Sequence, residues 1–217
     1  MHQLNWALAL DSTLTRAHLF RSHVFLTANQ MDSSIAEMRV AQALEPFSQI
    51  VATRLMTALY FGGKTEESVR VGGQVFQADS DYTLVIPDLA RAYLKAGRCT
   101  ELLRMADRPM THYYLEARAL SAVSYARCGK PDQARRVLGE LAARQRSGEY
   151  VGHYEFGIIY GALGDIDRAF RELNLAVDER EFFAFGIAWD PLLEYLRSDP
   201  RFSALTARIP LNNRTDT

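Results

Sequence analysis

The residues able to do chemistry are few and scattered. Five histidines, His2, His18, His23, His112 and His153, could supply metal ligands or a general base. Ligation from a helix needs a second His or Cys three or four residues away, so that both donors share one face. None of the five has such a neighbour. His18 and His153 are expected as packing residues between helices. The two cysteines, Cys99 and Cys128, are too few for a disulfide framework and are expected as reduced, structural thiols. A phosphate-cradling P-loop, a dinucleotide-binding glycine fingerprint and a nucleophile elbow are all absent from the sequence. The acidic neighbours Glu66–Glu67 and Asp165–Asp167 stand where helices begin, where negative charge complements the helix dipole. No catalytic, cofactor-binding or metal residue is therefore expected, and no cofactor; the chain reads as a non-enzyme.

Composition narrows the class further. The 217 residues are 48% hydrophobic and 24% charged, as in an ordinary globular protein with a substantial core. The net charge of −1 argues against direct nucleic-acid contact, which draws its affinity from a basic face. The stretch from Met1 to Asp11 lacks the basic start of a secretory signal. The most apolar stretches, Gly157–Leu163 and Phe182–Trp189, fall far short of the roughly 20 residues of a membrane span. A soluble, membrane-free protein is expected, and low cysteine usage fits the cytoplasm.

The informative pattern is a repeat. Asn29, Gly63, Gly97, Gly129 and Gly164 each follow an apolar-periodic segment, at spacings of 34, 34, 32 and 35 residues. Gly adopts the left-handed backbone at no steric cost and Asn tolerates it, so each position suits the turn between two antiparallel helices. A tetratricopeptide (TPR) unit is about 34 residues long and has this form. The fifth unit is the clearest: Gly157, Tyr160, Gly164, Ala169, Leu173 and Ala176 alternate small and large residues as helix packing requires. Ser34, Ser68 and Ala134 occupy the place of Ala169 in other units. The expected fold is all-α: a TPR solenoid, a right-handed α-α superhelix of about five repeats plus C-terminal capping helices. A single domain over 1–217 is expected, with a remnant second helix at 1–12 and repeats at 13–46, 47–80, 81–110, 111–148 and 149–181. A cap at 182–211 and a disordered tail at 212–217 complete it. On this reading the chain begins mid-architecture, as a fragment of a longer polypeptide. The glycines Gly72 and Gly73 should cost their helix about 1 kcal/mol each relative to Ala, making it the softest part. Pro109 should end the helix that begins at Cys99.

After the fifth unit, Asp190–Pro191 and Asp199–Pro200 each open a short segment, with Asp as cap and Pro at the first helical position. The phrases GALGDIDRAFRELNLAVDER and WDPLLEYLRSDPRFSAL resemble the C-terminal end of a bacterial TPR family. Its most specific piece is LRSDPRF, Leu196–Phe202. In that family the repeats follow an effector module, often a winged-helix DNA-binding domain of the ToxR/OmpR type, in other members a serine/threonine kinase or an adenylate cyclase. The resemblance implies a regulatory, protein-binding role.

In a TPR stack the first helix of each unit lines a concave face. The residues so placed are Arg16, Leu19 and His23; Thr53, Thr57, Tyr60 and Phe61; Arg91, Leu94 and Lys95; Val123 and Arg127; and Tyr154 and Ile158. Aromatic and apolar side chains among scattered cations are typical of binding hot spots. The expected partner is a protein or peptide with apolar anchors and an acidic element. The Lys/Asn clamp by which TPR domains hold chaperone tails is replaced here by Leu19, His23, Thr53 and Thr57. Homodimerisation through Phe182–Trp189 is a further expectation, against the simpler one that these aromatics fill the cap. A regulatory tail of a kinase or cyclase, or a free-standing scaffold, is the alternative reading.

Overall fold

The computed structural model describes residues 1–108 and 114–209. The expected break between repeats at 110/111, the Pro109 stop, His112 and the 212–217 tail lie outside the described residues. Among the described residues there are twelve α-helices and no strand. They are α1 (His2–Leu10), α2 (Thr15–Thr27), α3 (Met31–Leu44), α4 (Gln49–Phe61), α5 (Thr65–Ala78) and α6 (Ile86–Ala96). Then follow α7 (Cys99–Ala106), α8 (Leu115–Arg127), α9 (Pro131–Arg146), α10 (His153–Ala162), α11 (Ile166–Asp178) and α12 (Pro200–Thr206). Short 3-10 turns occur at Thr83–Val85, Phe182–Gly186 and Pro191–Leu196. The chain divides into two compact units, and the division falls inside α6, after Ala92.

The helix pairs are made by one local device. Asn29, Gly63, Gly97, Gly129 and Gly164 all have positive φ, between 58° and 84°. In each case the next residue's N–H reaches back five residues to a carbonyl in the last turn of the helix: Gln30 to Phe25 (2.8 Å), Lys64 to Leu59 (2.8 Å), Arg98 to Tyr93 (2.9 Å), Lys130 to Tyr125 (2.8 Å) and Asp165 to Tyr160 (2.9 Å). This is the Schellman turn, which satisfies helix-end carbonyls and reverses the chain within a few residues. Gly148 and Arg180 end α9 and α11 in the same way.

The second helices of the first unit end differently. Asp11 and Asp79 take extended conformations (φ −146° and −148°), and Glu45, 34 residues from each, has a similar φ of −131° but a smaller ψ of 73°. Each carbonyl then accepts from the residue three positions on, closing a turn into the next helix. The first unit therefore repeats a backbone hydrogen-bond pattern, not only its sequence, every 34 residues.

Packing follows from side-chain size. Ser34, Ser68, Ala134 and Ala169 are wholly buried where paired helices meet. Ser34 and Ser22 share a hydrogen bond between hydroxyls at 2.9 Å, and Ser68 donates to the Met56 carbonyl at 2.9 Å. The small side chains let the helices approach, and their hydroxyls are satisfied on burial. Helix α5 runs unbroken through Gly72 and Gly73. At Gly72 a Cβ would meet Met56 Sδ at 2.1 Å and Leu89 Cδ1 at 3.0 Å, so the glycine admits α4 and α6.

The cysteine expectation is overturned. Cys99, the first residue of α7, is bonded to Cys128, which caps α8, with their Cα atoms 5.5 Å apart. Helices α7 and α8 pack against each other in the second unit, and this brings the two thiols within bonding reach.

The C-terminal segments form as the Asp-Pro pairs predict. Asp190 accepts from the Leu192 N–H at 2.8 Å and opens the turn Pro191–Leu196. Asp199 accepts from the Arg201 N–H at 2.9 Å and opens α12. The aromatic stretch is divided: Ala184 and Ile187 are buried, Phe183, Phe185 and Trp189 are half-buried, and Phe182 is 69% exposed.

Candidate functional site

Of the residues expected on a concave face, the structure gathers four around one cleft in the first unit. Arg16, Leu19 and His23 come from α2 and Thr57 from α4. The cleft has a volume of about 640 Å³. Spacings of three and four residues put Arg16, Leu19 and His23 on one face of α2, and they reach it as side chains of a continuous helix. The floor is built from Ser22, Ser34 and Ala58, all buried. Leu19, Leu26 and Ile50 supply apolar walls, and Phe20 stands at the rim with most of its surface open to solvent.

Two charged lining residues escaped the sequence reading. Arg54 projects from α4 and Glu45 from the turn after α3. Arg54 was legible in principle, four residues beyond Ile50 and three before Thr57, both inward-facing. The cleft thus holds Arg16, His23 and Arg54 against a single carboxylate, Glu45. Among the described residues neither arginine has an ion-pair partner. The His23 imidazole is held below its ordinary pKa, first by loss of solvent between the helices and then by the charge of Arg54.

The other predicted groove residues are placed differently. Thr53, Tyr60, Arg91, Val123, Tyr154 and Ile158 are buried, and so is Thr57 despite its edge on the cleft. Tyr60 packs edge-to-face on half-buried Phe61, with ring centroids 5.0 Å apart. Tyr154 donates its hydroxyl to buried Asp190 at 2.8 Å and stacks on Phe183. Leu94 is half-buried, Lys95 pairs with Glu194, and Arg127 lies over the Tyr195 ring, 5.6 Å from its centroid. These side chains are already engaged within the fold.

A second cavity of about 620 Å³ lies in the other unit, lined by Arg135, Tyr160, Asp165, Asp167 and Arg168 among others. Its charges are internally matched. Arg168 meets Asp165 at 3.4 Å, Arg135 meets Asp132 at 2.8 Å, and Asp167 is held by Arg201 at 2.7 Å. With similar volumes, charge separates the two cavities: only the α2/α4 cleft presents cations without counterions.

No family model matches the chain, and neither curated proteins nor solved structures match it. Among the described residues no group of three or more His, Cys, Asp or Glu side chains gathers as a metal site. No described helix is long and apolar enough to cross a membrane.

Proposed function

We propose that the chain is a protein-interaction module of the TPR type, the regulatory C-terminal part of a bacterial transcriptional regulator. The observation that carries the interaction reading is the α2/α4 cleft, where Arg16, Leu19, His23 and Thr57 converge between apolar walls with uncompensated positive charge. The 34-residue backbone period and the five Schellman turns support the TPR reading. The transcriptional role rests on the resemblance of the LRSDPRF end alone. Its mechanism is indirect: occupancy of the cleft controls an attached effector. Cytoplasm is the proposed compartment. The Cys99–Cys128 bridge pulls the other way, because cytosolic reductants hold most thiols reduced.

Affinity capture from bacterial lysate with the whole chain as bait tests the module reading. A protein retained by the native chain and lost on Leu19→Glu supports it. Equal recovery by both, with the variant shown folded by circular dichroism, sinks it.

A further inference from the structure

We infer that the α2/α4 cleft recognises a partner segment in which an Asp or Glu side chain lies beside a large apolar one. The inference rests on the interaction reading above and deepens it by naming the ligand chemistry.

The charge arrangement selects the carboxylate. Arg16 and Arg54 reach the same cavity from facing helices, and neither has a counterion among the described residues. Both arginines are exposed to solvent, and like charges brought together at a concave surface raise the local potential and attract an anion more strongly than the same charges spread over a convex one. The planar guanidinium forks suit a carboxylate's two oxygens. Among the described residues Glu45 is the one acid lining the cleft, and it leaves net positive charge there.

The apolar requirement comes from the walls. Leu19 and Ile50 stand on the two helices that bear the arginines, and both keep part of their surface open to solvent. A Leu, Phe or Trp beside the acidic residue would cover them and dry the ion pair, which strengthens it. The occupant is a protein segment because the chain as a whole is near-neutral, whereas a polyanion such as nucleic acid requires a broad basic face.

His23 makes the recognition proton-linked. The charged groups sharing its cleft are Arg16 on its own helix, Arg54 on α4 and Glu45 after α3. With the cleft open, solvent loss and then Arg54 hold the ring neutral at ordinary pH. A docked carboxylate screens Arg54 and stabilises the imidazolium, so a proton is taken up on binding. Affinity then rises as pH falls from the bound-state pKa towards the lowered free-state one, by up to about tenfold per pH unit for one proton.

Selection of a random peptide-display library on the full chain tests this. Enriched sequences should pair Asp or Glu with a large apolar residue. The best of them, made as a synthetic peptide, should lose at least about tenfold in affinity to Arg16→Gln/Arg54→Gln. It should also bind more tightly at about pH 6 than at about pH 8, and His23→Phe should flatten that dependence. Enriched peptides without acidic residues, or unchanged binding to the folded double variant, overturn the inference. If they still lose binding on Leu19→Glu, the module reading stands while the acidic specificity falls. No enrichment of any sequence counts against both.

Discussion

His18 on α2 meets Glu37 on α3 at 2.8 Å through Nδ1, nineteen residues apart. His153 on α10 meets Glu172 on α11 at 2.6 Å with the same separation. The first and fifth hairpins thus carry one cross-helix device. It ties the start of a first helix to the middle of its partner, where a purely apolar pair would leave no orientational preference.

His153 makes the device titratable. Burial works to lower its pKa, but the Glu172 hydrogen bond and the charges of Glu172, Glu179 and Glu181 outweigh it and hold the pKa above the ordinary value. A histidine whose folded pKa is raised stabilises the fold fully below its unfolded pKa, about 6.5, and loses that contribution as pH rises through the folded value. Glu172→Gln should lower the His153 pKa in an NMR titration and flatten stability across that window. An unchanged titration curve would show that the Glu172 contact is not made in solution.

Reduction should weaken the second unit. The Cys99–Cys128 bridge spans 29 residues of sequence. A loop of that length implies a stabilisation of about 3–4 kcal/mol through restriction of the unfolded chain. Thermal unfolding of the native chain should shift down with reductant. Cys99→Ser/Cys128→Ser should start at the lower temperature and ignore reductant. Identical melting of native chain and variant would mean that the thiols are reduced in solution.

Two glycines give opposite signs under one substitution. At Gly139 in α9 a Cβ meets nothing within 4 Å, so Gly139→Ala should stabilise by about 0.5–1 kcal/mol through helix propensity. At Gly157 in α10 a Cβ falls 2.8 Å from Leu173 Cγ and Cδ2. There overpacking of about 1–3 kcal/mol outweighs the propensity gain. Urea titrations of the two variants check the signs, and stabilisation by Gly157→Ala would refute the close approach of α10 and α11.

The terminal Asp-Pro pair anchors α12 through Arg201. Its guanidinium meets Asp199 at 2.8 Å and Asp167 on α11 at 2.7 Å, and lies 4.4 Å from the Phe170 ring centroid. The Arg201 hydrogen bonds, side-chain and then backbone, hold the Asp199 carboxyl below its ordinary pKa. A depressed carboxyl pKa gives stability that is present above the unfolded value and lost as pH falls through the folded one. Asp199→Ala should speed amide exchange through the first turn of α12 and leave α10 protected. Equal exchange in both helices would remove the anchoring role.

Turns were legible in the sequence and distances between helices were not. Asn29 and the four glycines announce their backbone because so few residues tolerate positive φ, and Asp190 and Asp199 announce caps because their side chains act within two residues. The disulfide was missed because sequence spacing says nothing of the distance between Cys99 and Cys128 once α7 and α8 pack. Thr53, Tyr60 and Ile158 were assigned to a concave face from their spacing, but periodicity names a face without saying whether something covers it. Helix α4 shows why: Val51, Thr53 and the run Leu55–Tyr60 are all buried, so almost every side of it is an inside. Ile50 and Arg54 are the exposed exceptions on that helix, and both line the cleft.

The joints at Asp11, Glu45 and Asp79 make the first unit a strip of related parts. Because the same three-residue hydrogen bond closes each joint, a stretch cut from one joint to the next carries complete helix ends at both sides. Residues 12–45 and 46–79 are such cassettes. The cleft is lined from both, so duplicating the two together is the splice expected to lengthen the protein and copy its cleft without redesigned loops.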